Sequence, residues 1–363
     1  MSQPSAAVSV HNFSAGPAIL PQSVLAKAAQ AVTDFEGMGL SLLEISHRSK
    51  QFVAVMDEAV ALSKELLGFG DDYAALFLQG GASTQFFEVP ANLLADGATA
   101  HYLDTGTWSA KAIKEARRYG RVNVVASSKD RNYDHVPKDY AVPADGAYFH
   151  LTSNNTIFGT QLQSFPETEV PLVADMSSDI FSRAIPAERF GLIYAGAQKN
   201  MGPAGATLVV VREDLLGKSG RDLPSMVDYR THVEKGSMFN TPPCFAVYVS
   251  LLTMRWVRDN GGVGAMERRN AEKAALLYGE IDRNPLFRGV VAEEDRSRMN
   301  ACFDLVDGGH KEAFDAMARE ANLSGLPGHR SVGGYRASIY NAMDISSVRT
   351  LVDVMQALER ERG

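Results

Sequence analysis

One lysine of the sequence, Lys199, lies in a turn of small residues between two apolar segments that have the composition of β-strands. A lysine in such surroundings is partly desolvated, which lowers the pKa of its ammonium and makes the neutral amine available for Schiff-base chemistry. Gly and Pro in the same stretch, 193–211, are more often typical of an ordinary solvated turn. The functional interpretation therefore depends on the rest of the chain.

Further groups that could bind a charged ligand stand directly after strand-like runs. The loop 79–84 contains a glycine pair followed by Ser83 and Thr84. That pattern is typical of backbone N–H groups that bind a phosphate and, equally, of an ordinary helix cap. Trp108 follows the next run, at the edge where α/β proteins place their ligands. Its indole suits either stacking on a planar ring or packing against its own helix, and the sequence leaves both open.

Cationic side chains are grouped in two further loops. His47 and Arg48 stand side by side near the start of the chain, and His329 and Arg330 precede Arg336 in a glycine-rich loop near its end. The planar forks of arginine suit carboxylates and phosphates, which favours an anion site in the second loop. The first pair is as consistent with a solvated turn as with an anion site.

The elements that must position these groups follow a regular alternation. Short apolar runs separated by helical patterns have the composition of buried strands, at 73–78, 100–103, 122–126, 148–151, 172–174, 192–195 and 207–211. The alternation predicts an α/β fold with a large, mostly parallel sheet of the seven-stranded type, covered by helices on both faces. No Gly-x-Gly-x-x-Gly or P-loop pattern is present, which argues against a dinucleotide fold and a nucleotide phosphotransferase.

Local signals divide the chain further. Pro90 predicts a kink or an early end in the helix that contains it. The segment 221–239 has an irregular pattern, and Thr241 followed by Pro242 is typical of a helix N-cap and first helical residue. Glycines at 261–264 indicate a boundary. We therefore expect a large domain at 15–260 and a small α/β domain formed by 1–14, an irregular arm, together with 261–363.

Composition excludes several function classes. The 363 residues carry a net charge of −7 and no long basic run, which gives nucleic-acid binding no support. No apolar run reaches the ~18 residues of a membrane span, and the N-terminus lacks the pattern of a signal peptide, so we expect a cytoplasmic protein without a membrane partner. The two cysteines, Cys244 and Cys302, have no partners at disulfide-framework or metal-ligand spacing, and we expect no metal.

A carboxylate upstream of Lys199 allows the groups described above to be interpreted as one site. Asp175 and Lys199 each follow a strand-like run. A pyridoxal phosphate enzyme needs such a pair, because the lysine binds the cofactor's aldehyde carbon and the carboxylate keeps the pyridine nitrogen protonated.

At this point the sequence resembles the phosphoserine aminotransferase family, a branch of the class V aminotransferases with the aspartate-aminotransferase-like fold (fold-type I) of pyridoxal phosphate enzymes. The resemblance is carried by motifs in consistent order over residues 13 to about 341: Phe13-Ser14-Ala15-Gly16-Pro17, Ile45-Ser46-His47-Arg48, Gly80-Gly81-Ala82-Ser83, Thr107-Trp108, Asn155-Thr156, Ala174-Asp175-Met176-Ser177-Ser178, Gly196-Ala197-Gln198-Lys199-Asn200, Asn240-Thr241-Pro242-Pro243 and Gly328-His329-Arg330-Ser331-Val332-Gly333-Gly334. So long an ordered set is far more specific than any one motif.

The resemblance implies a role for each matching residue that faces the cofactor. Lys199 is implied to be the Schiff-base lysine and the proton carrier, and Asp175 the partner of the pyridine nitrogen. Trp108 is implied to stack on the ring, and Thr156 to hydrogen-bond near the phenolic oxygen. The cofactor's phosphate is implied to be held by Ala82, Ser83 and Gln198, completed by Asn240 and Thr241 from the second subunit of a homodimer with shared active sites. Some members have an arginine in place of Ser83.

The resemblance also implies the substrates. Arg336 matches the arginine that binds the α-carboxylate, while His47, Arg48, His329 and Arg330 match the groups around the phosphate or the glutamate side chain. The implied reaction is ping-pong transfer of the amino group of L-glutamate to 3-phosphohydroxypyruvate, giving O-phospho-L-serine and 2-oxoglutarate in serine biosynthesis.

Four alternatives stay open at this level. One is a second activity on the phosphorylated 4-hydroxythreonine analogue in pyridoxine biosynthesis. Another is a class V aminotransferase for an unphosphorylated 2-oxo acid, which the doubled His-Arg pairs make less favoured. A cysteine desulfurase is disfavoured because Cys302 lies in an alternating strand pattern. A cofactor-binding protein without catalysis is disfavoured by the intact Asp175 and Lys199.

Overall fold

The computed structural model describes residues 10–362 of the chain. Its strands are β1 (His11–Asn12), β2 (Tyr73–Leu78), β3 (Thr99–Asp104), β4 (Arg121–Ser127), β5 (Phe149–Thr152), β6 (Leu172–Asp175), β7 (Phe190–Gly196), β8 (Thr207–Arg212), β9 (Phe287–Gly289), β10 (Asn300–Leu305), β11 (Leu323–Ser324) and β12 (Tyr335–Ser338). Its α-helices are α1 (Gln22–Thr33), α2 (Lys50–Leu67), α3 (Gly81–Leu93), α4 (Thr107–Ala116), α5 (Tyr229–Glu234), α6 (Cys244–Asp259), α7 (Gly262–Arg283), α8 (Lys311–Glu320) and α9 (Ile345–Arg362).

The large sheet has the strand order β2-β8-β7-β6-β5-β3-β4. Strand β8 runs antiparallel to both of its neighbours, and the remaining pairs are parallel. The central strands β5, β6 and β7 are buried along their whole length, because helices cover both faces of the sheet. The predicted fold class, α/β with a large, mostly parallel sheet, is confirmed.

Apolar side chains form a separate core on each face of this sheet. One face packs against α1, α2 and α6 through residues such as Phe52, Leu62 and Leu251. The other face packs against α3 and α4, with Val89 and Ile113 in its core. The strands between them therefore read as nearly continuous apolar runs, which is why their positions could be predicted closely.

The C-terminal part forms a smaller unit with a core of its own. Strands β12, β10 and β9 form an antiparallel sheet in that order, packed with α7, α8 and α9. Strand β1 pairs in parallel with β11, and Phe13 is buried in the same core. The arm predicted to be irregular therefore contains a short strand within the described residues; positions 1–9 of the predicted arm lie outside them. The domain boundaries at 15 and 260 stay a prediction.

Three local expectations were wrong. The early end predicted at Pro90 was wrong, since helix α3 continues through Pro90 to Leu93. Both flanks of Pro90 are buried and their packing outweighs the missing hydrogen bond. The kink predicted as its alternative stays a prediction. The segment 221–239 contains α5, capped by the Asp228 carboxylate, which accepts from the backbone N–H of Arg230. Its six residues are too few for a helical period to stand out.

The third wrong expectation concerns the start of α6, where Thr241 was predicted to be the N-cap. The residue that precedes this helix is Pro243, and Thr241 lies before it as an exposed residue.

Among residues 10–362, no helix combines the length and apolar character that crossing a membrane requires.

Candidate active site

A cavity of about 160 Å³ opens at the carboxyl ends of the parallel strands. The sequence predictions supply half of its lining: Ala82, Ser83, Trp108, Thr156, Asp175, Gln198 and Lys199. These residues come from the loops after β2, β3, β5, β6 and β7, which meet at one edge because parallel strands end there together. The structure thus brings together residues that lie more than a hundred positions apart in the chain.

Lys199 projects from the turn between β7 and β8. Its ammonium donates a hydrogen bond of 2.5 Å to Oγ1 of Thr156 and lies 5.6 Å from the centre of the Trp108 ring. Burial lowers the pKa of Lys199 to about 8, with Arg336 acting in the same direction and Asp175 opposing it. A far larger fraction of the amine is therefore neutral at pH 7 than the ordinary lysine pKa of 10.5 allows, which favours a nucleophilic role.

The backbone beside this lysine is held by the N-terminal segment. The N–H of Ala18 donates to the carbonyl oxygen of Gln198 at 3.0 Å. Gly16 has a φ of +147°, and a Cβ at this position would lie 3.3 Å from both the Gln198 carbonyl oxygen and Cγ of Lys199. The glycine of the Phe13–Pro17 motif therefore permits a close approach to the reactive side chain.

Asp175 is the last residue of β6 and is only 5% exposed. Its Oδ1 accepts from the backbone N–H of Ser177 at 3.0 Å and from the Ser177 hydroxyl at 2.7 Å. Burial raises the pKa of this carboxyl, whereas the Ser177 hydrogen bonds and the charge of Lys199 favour its ionised form. A protonated ring nitrogen placed beside Asp175 would add a further cation and stabilise the carboxylate.

The loop after β2 forms a cup at the start of α3. Gly80 and Gly81 have φ angles of +92° and +71°, and a Cβ on Gly80 would clash with the Thr84 hydroxyl at 1.8 Å. Ala82 and Ser83 lie in the first turn of α3, where backbone N–H groups have no partner within the helix. The helix dipole adds to this, so the cup is suited to a phosphate.

Cationic groups stand beside the cavity. Nη1 of Arg336 donates to the carbonyl oxygen of Thr156 at 3.1 Å, and the Arg336 Nε is buried with no hydrogen-bond partner in residues 10–362. His329 lies close enough to three cations that, after burial, Arg336, Arg330 and Lys111 each lower its pKa. This end of the site therefore favours anions.

Seven predicted residues do not line the cavity formed by this chain: Arg336, His329 and Arg330, described above, and four others. His47 is buried, with no hydrogen-bond partner for its Nε2 in the described part of the chain, and the neighbouring Arg48 is exposed. Asn240 lines a different cavity, of about 240 Å³, and the carbonyl oxygen of Thr241 accepts from the Gln79 side chain at 3.2 Å. The roles of these four residues stay predictions.

Several lining residues were not among the sequence predictions. Thr152, Asn154, Ser177 and Ser178 contribute polar side chains to the cavity. Thr152 is the last residue of β5, and the other three lie within three residues after the end of β5 or β6. Their position at a strand end was therefore the signal available in the sequence. Lys111 was also missed, because an exposed lysine on an amphipathic helix has no pattern that distinguishes it.

The chain matches the family model described as aminotransferase class-V over residues 10–351. A phosphoserine aminotransferase of Flavobacterium johnsoniae is 63% identical over 96% of this chain and 98% of the relative. The chain belongs to the phosphoserine aminotransferase family of class V aminotransferases. The corresponding relative from Parabacteroides distasonis is 56% identical and covers 97% of this chain and 99% of its own length.

Solved structures of phosphoserine aminotransferases have the same fold. The one from Bacillus circulans subsp. alkalophilus superposes with a TM-score of 0.95 at 45% identity, over 98% of this chain and 99% of that one. The one from Trichomonas vaginalis, described as bound to PLP, has a TM-score of 0.91 at 39% identity, over 96% of this chain and 100% of that one. The predicted resemblance and enzyme class are confirmed.

The cavity suits the cofactor of class V aminotransferases, pyridoxal phosphate. Nε1 of Trp108 and Oγ1 of Thr152 are buried in its wall without hydrogen-bond partners in the described residues, which leaves polar atoms for a ligand. The Lys199 amine, the Asp175 carboxylate and the start of α3 match an aldehyde, a pyridine nitrogen and a phosphate in chemistry. The cofactor prediction is confirmed by the family.

Proposed function

We propose that this protein transfers the amino group of L-glutamate to 3-phosphohydroxypyruvate, giving O-phospho-L-serine and 2-oxoglutarate. The observation that carries the proposal is that the Lys199 amine and the buried Asp175 line one cavity, while the Arg336 guanidinium hydrogen-bonds to Thr156 of the same cavity. The relatives' name, phosphoserine aminotransferase, supports the same reaction. The protein would then act in serine biosynthesis, in the cytoplasm.

Each cofactor contact is assigned to a residue. Asp175 would hold the proton on the pyridine nitrogen, Trp108 would cover one face of the ring and Thr156 would hydrogen-bond near the phenolic oxygen. Ala82, Ser83 and Gln198 would hold the phosphate through the cup at the start of α3. When bound, pyridoxal phosphate supplies an electron sink that stabilises negative charge at the substrate's α-carbon.

Lys199 would also be the general base and acid of the reaction. Its neutral amine would take the proton from the α-carbon of glutamate, and the ammonium would return a proton to the α-carbon in the second half-reaction. Hydrogen bonding to Thr156 fixes the position of the amine between these steps. The order would be ping-pong, with 2-oxoglutarate leaving before 3-phosphohydroxypyruvate enters.

The substrates would be oriented by their two anionic ends. Arg336 would bind the α-carboxylate, because it approaches the loop of Thr156 from the C-terminal unit. His329 and Arg330 would bind the distal phosphate or the side-chain carboxylate, together with His47 and Arg48. A phosphate dianion needs several donors, and these groups supply them.

A homodimer would explain the residues that lie away from the cavity. Asn240 and Thr241 do not line it in their own chain, and we propose that they complete the phosphate site of the partner subunit. Co-expression of a Lys199→Ala chain with a chain in which Asn240 and Thr241 are both changed to Ala tests this. Hybrid dimers regain part of the activity if the sites are shared, and two inactive variants that never complement each other would rule the shared site out.

Competition between keto acids tests the substrate assignment. The holoenzyme, converted by glutamate in a single turnover, should recover its original absorbance with 3-phosphohydroxypyruvate and recover far more slowly with pyruvate or glyoxylate. Recovery only with the unphosphorylated acids would replace the proposal with the alternative class V activity. Activity on the phosphorylated four-carbon analogue of pyridoxine biosynthesis stays a prediction, and the same assay tests it.

A further inference from the structure

Lys111 stands one helical turn beyond Trp108 on α4. Its ammonium lies 4.5 Å from the centre of the Trp108 ring, and the Lys199 ammonium lies 5.6 Å from the same centre. The indole therefore connects a cation inside the cavity with a second cation at its exposed edge. A cation–π contact limits the positions of the Lys111 side chain without neutralising its charge.

Lys111 has no acidic partner within ion-pair distance in the part of the chain that the structure describes. Within residues 10–362, Lys111 forms no ion pair, because Glu115, one turn further along α4, pairs with Arg118 at 2.9 Å instead. The nearby ionisable groups include His329, Arg330 and Arg336, which act on one another as like charges. Holding several cations together is unfavourable unless an anion joins them, so this cluster is suited to a ligand with a high negative charge.

The cations divide between two ends of the site. Arg336 hydrogen-bonds to the Thr156 loop and acts on Lys199, so it lies beside the reacting amine. Lys111 is exposed on α4, and its charge reaches His329 of the glycine-rich loop. If an α-carboxylate binds Arg336, the distal anion of the substrate is left for the remaining cations, His329, Arg330 and Lys111.

We propose that Lys111 is a further substrate-binding residue, which binds the distal anion of the substrate, the phosphate of the keto acid and the side-chain carboxylate of glutamate. The assignment rests on the proposed function for the identity of the substrates. It gives the distal subsite a donor from α4, a helix of the large sheet unit, in addition to the donors from loops. As a flexible ammonium with three N–H donors, Lys111 can serve either anion.

Steady-state kinetics of the holoenzyme with Lys111→Met tests the proposal. We expect the KM for 3-phosphohydroxypyruvate to rise about tenfold or more, the size expected when a hydrogen bond to a charged group is lost. The inhibition constant of inorganic phosphate should rise with it, and kcat should change much less, because the contact holds substrate and transition state alike. Lys111→Arg should restore most of the affinity.

Lys114→Met is the matched control, because Lys114 is an exposed lysine of the same helix and its loss changes the net charge equally. It should leave both constants unchanged. If Lys111→Met keeps the wild-type KM values and phosphate inhibition, whatever its thermal stability, the lysine only packs on Trp108 and the proposal fails. If the wild-type enzyme does not use the phosphorylated acid, the proposed function fails, and the KM for glutamate still decides whether Lys111 binds a distal anion.

Discussion

The Arg336 guanidinium donates a 3.1 Å hydrogen bond to the backbone carbonyl oxygen of Thr156, which links β12 of the C-terminal unit to the loop after β5 of the large sheet. Thr156 in turn accepts from the Lys199 ammonium through its hydroxyl. One short segment therefore positions both the arginine proposed for the substrate's carboxylate and the reactive amine. Displacing either group from this segment changes the environment of the other.

The pKa of Lys199 predicts how fast the apoenzyme takes up its cofactor. Only the neutral amine is nucleophilic, so the rate should rise with pH through about 8, below the ordinary lysine value of 10.5. Stopped-flow absorbance after mixing apoenzyme with pyridoxal phosphate measures this midpoint. Lys199→Arg should give no such absorbance change. A rate that keeps rising through the ordinary lysine pKa would contradict the desolvation of the amine.

Charge changes around Lys199 should move that midpoint in opposite directions. The Asp175 carboxylate favours the ammonium, so Asp175→Asn should lower the midpoint; Arg336 disfavours it, so Arg336→Gln should raise it. In steady state, Arg336→Gln should also raise KM for both substrates by about tenfold or more, because a charged hydrogen-bond donor is lost. Arg117→Gln, which removes the positive charge of an exposed arginine, is the control. Midpoints that move together would show that the two groups do not act through charge.

A methyl group at Gly16 should disturb the lysine. The added Cβ of Gly16→Ala lies 3.3 Å from Cγ of Lys199, so the side chain must shift by a few tenths of an ångström. Because small misplacements of reacting groups are costly, we expect kcat to fall by about tenfold to a hundredfold. Gly37→Ala is a matched control, since Gly37 also has a positive φ but nothing within 4 Å of its added Cβ. Equal kcat values in the two variants would refute the close approach.

Lys273 predicts a pH dependence of stability. Its ammonium donates to the carbonyl oxygens of Ile339 and Tyr340, and burial lowers its pKa to about 7 from 10.5. Between these values the unfolded chain binds more protons, so this residue makes the free energy of unfolding increase with pH, by up to roughly 1.4 kcal/mol per pH unit. The penalty of burying the charged lysine is complete below pH 7 and is relieved by about pH 10.5.

Lys273→Met removes the titrating group. Between pH 7 and 9.5, the free energy of unfolding should therefore increase less steeply with pH in that variant than in the wild type. Lys218→Met, at an exposed lysine, should retain the wild-type slope. Parallel slopes for wild type and Lys273→Met would mean that Lys273 stays charged in the folded protein.

The strands of the large sheet could be predicted from sequence because burial on both faces requires a continuous apolar run, as in the residues of β7 and β8. The helix through Pro90 could not, because the packing of Val89 and Ala91 is a tertiary effect. The same holds for α5, which depends on the fit of Tyr229 and His232 into the core more than on its own period.

The site divides in the same way. Lys199, Asp175 and the cup at Ser83 each follow a strand and could be found by position. The contact that orients Asn154 could not be predicted, because Asn300, whose Oδ1 accepts from the Asn154 amide at 2.8 Å, is 146 positions away in sequence. Contacts between residues so far apart leave no local pattern in the sequence. The Lys111–Trp108 contact is local, but only the structure shows that Lys111 acts on His329.

The N-terminal segment depends for its anchoring on residues that are synthesised much later. The backbone N–H of Phe13 donates to Ser324 at 2.8 Å, its carbonyl accepts from Ser338 at 3.2 Å, and the Ala15 carbonyl accepts from the Tyr340 hydroxyl at 2.8 Å. A chain emerging from the ribosome therefore makes this segment long before its partners, since Ala15 and Tyr340 are 325 positions apart. The sheet with Lys199 can form beforehand, but the strand that leads to Gly16 is anchored only after residues 324–340 have been made, so a catalytically incomplete enzyme precedes the complete one.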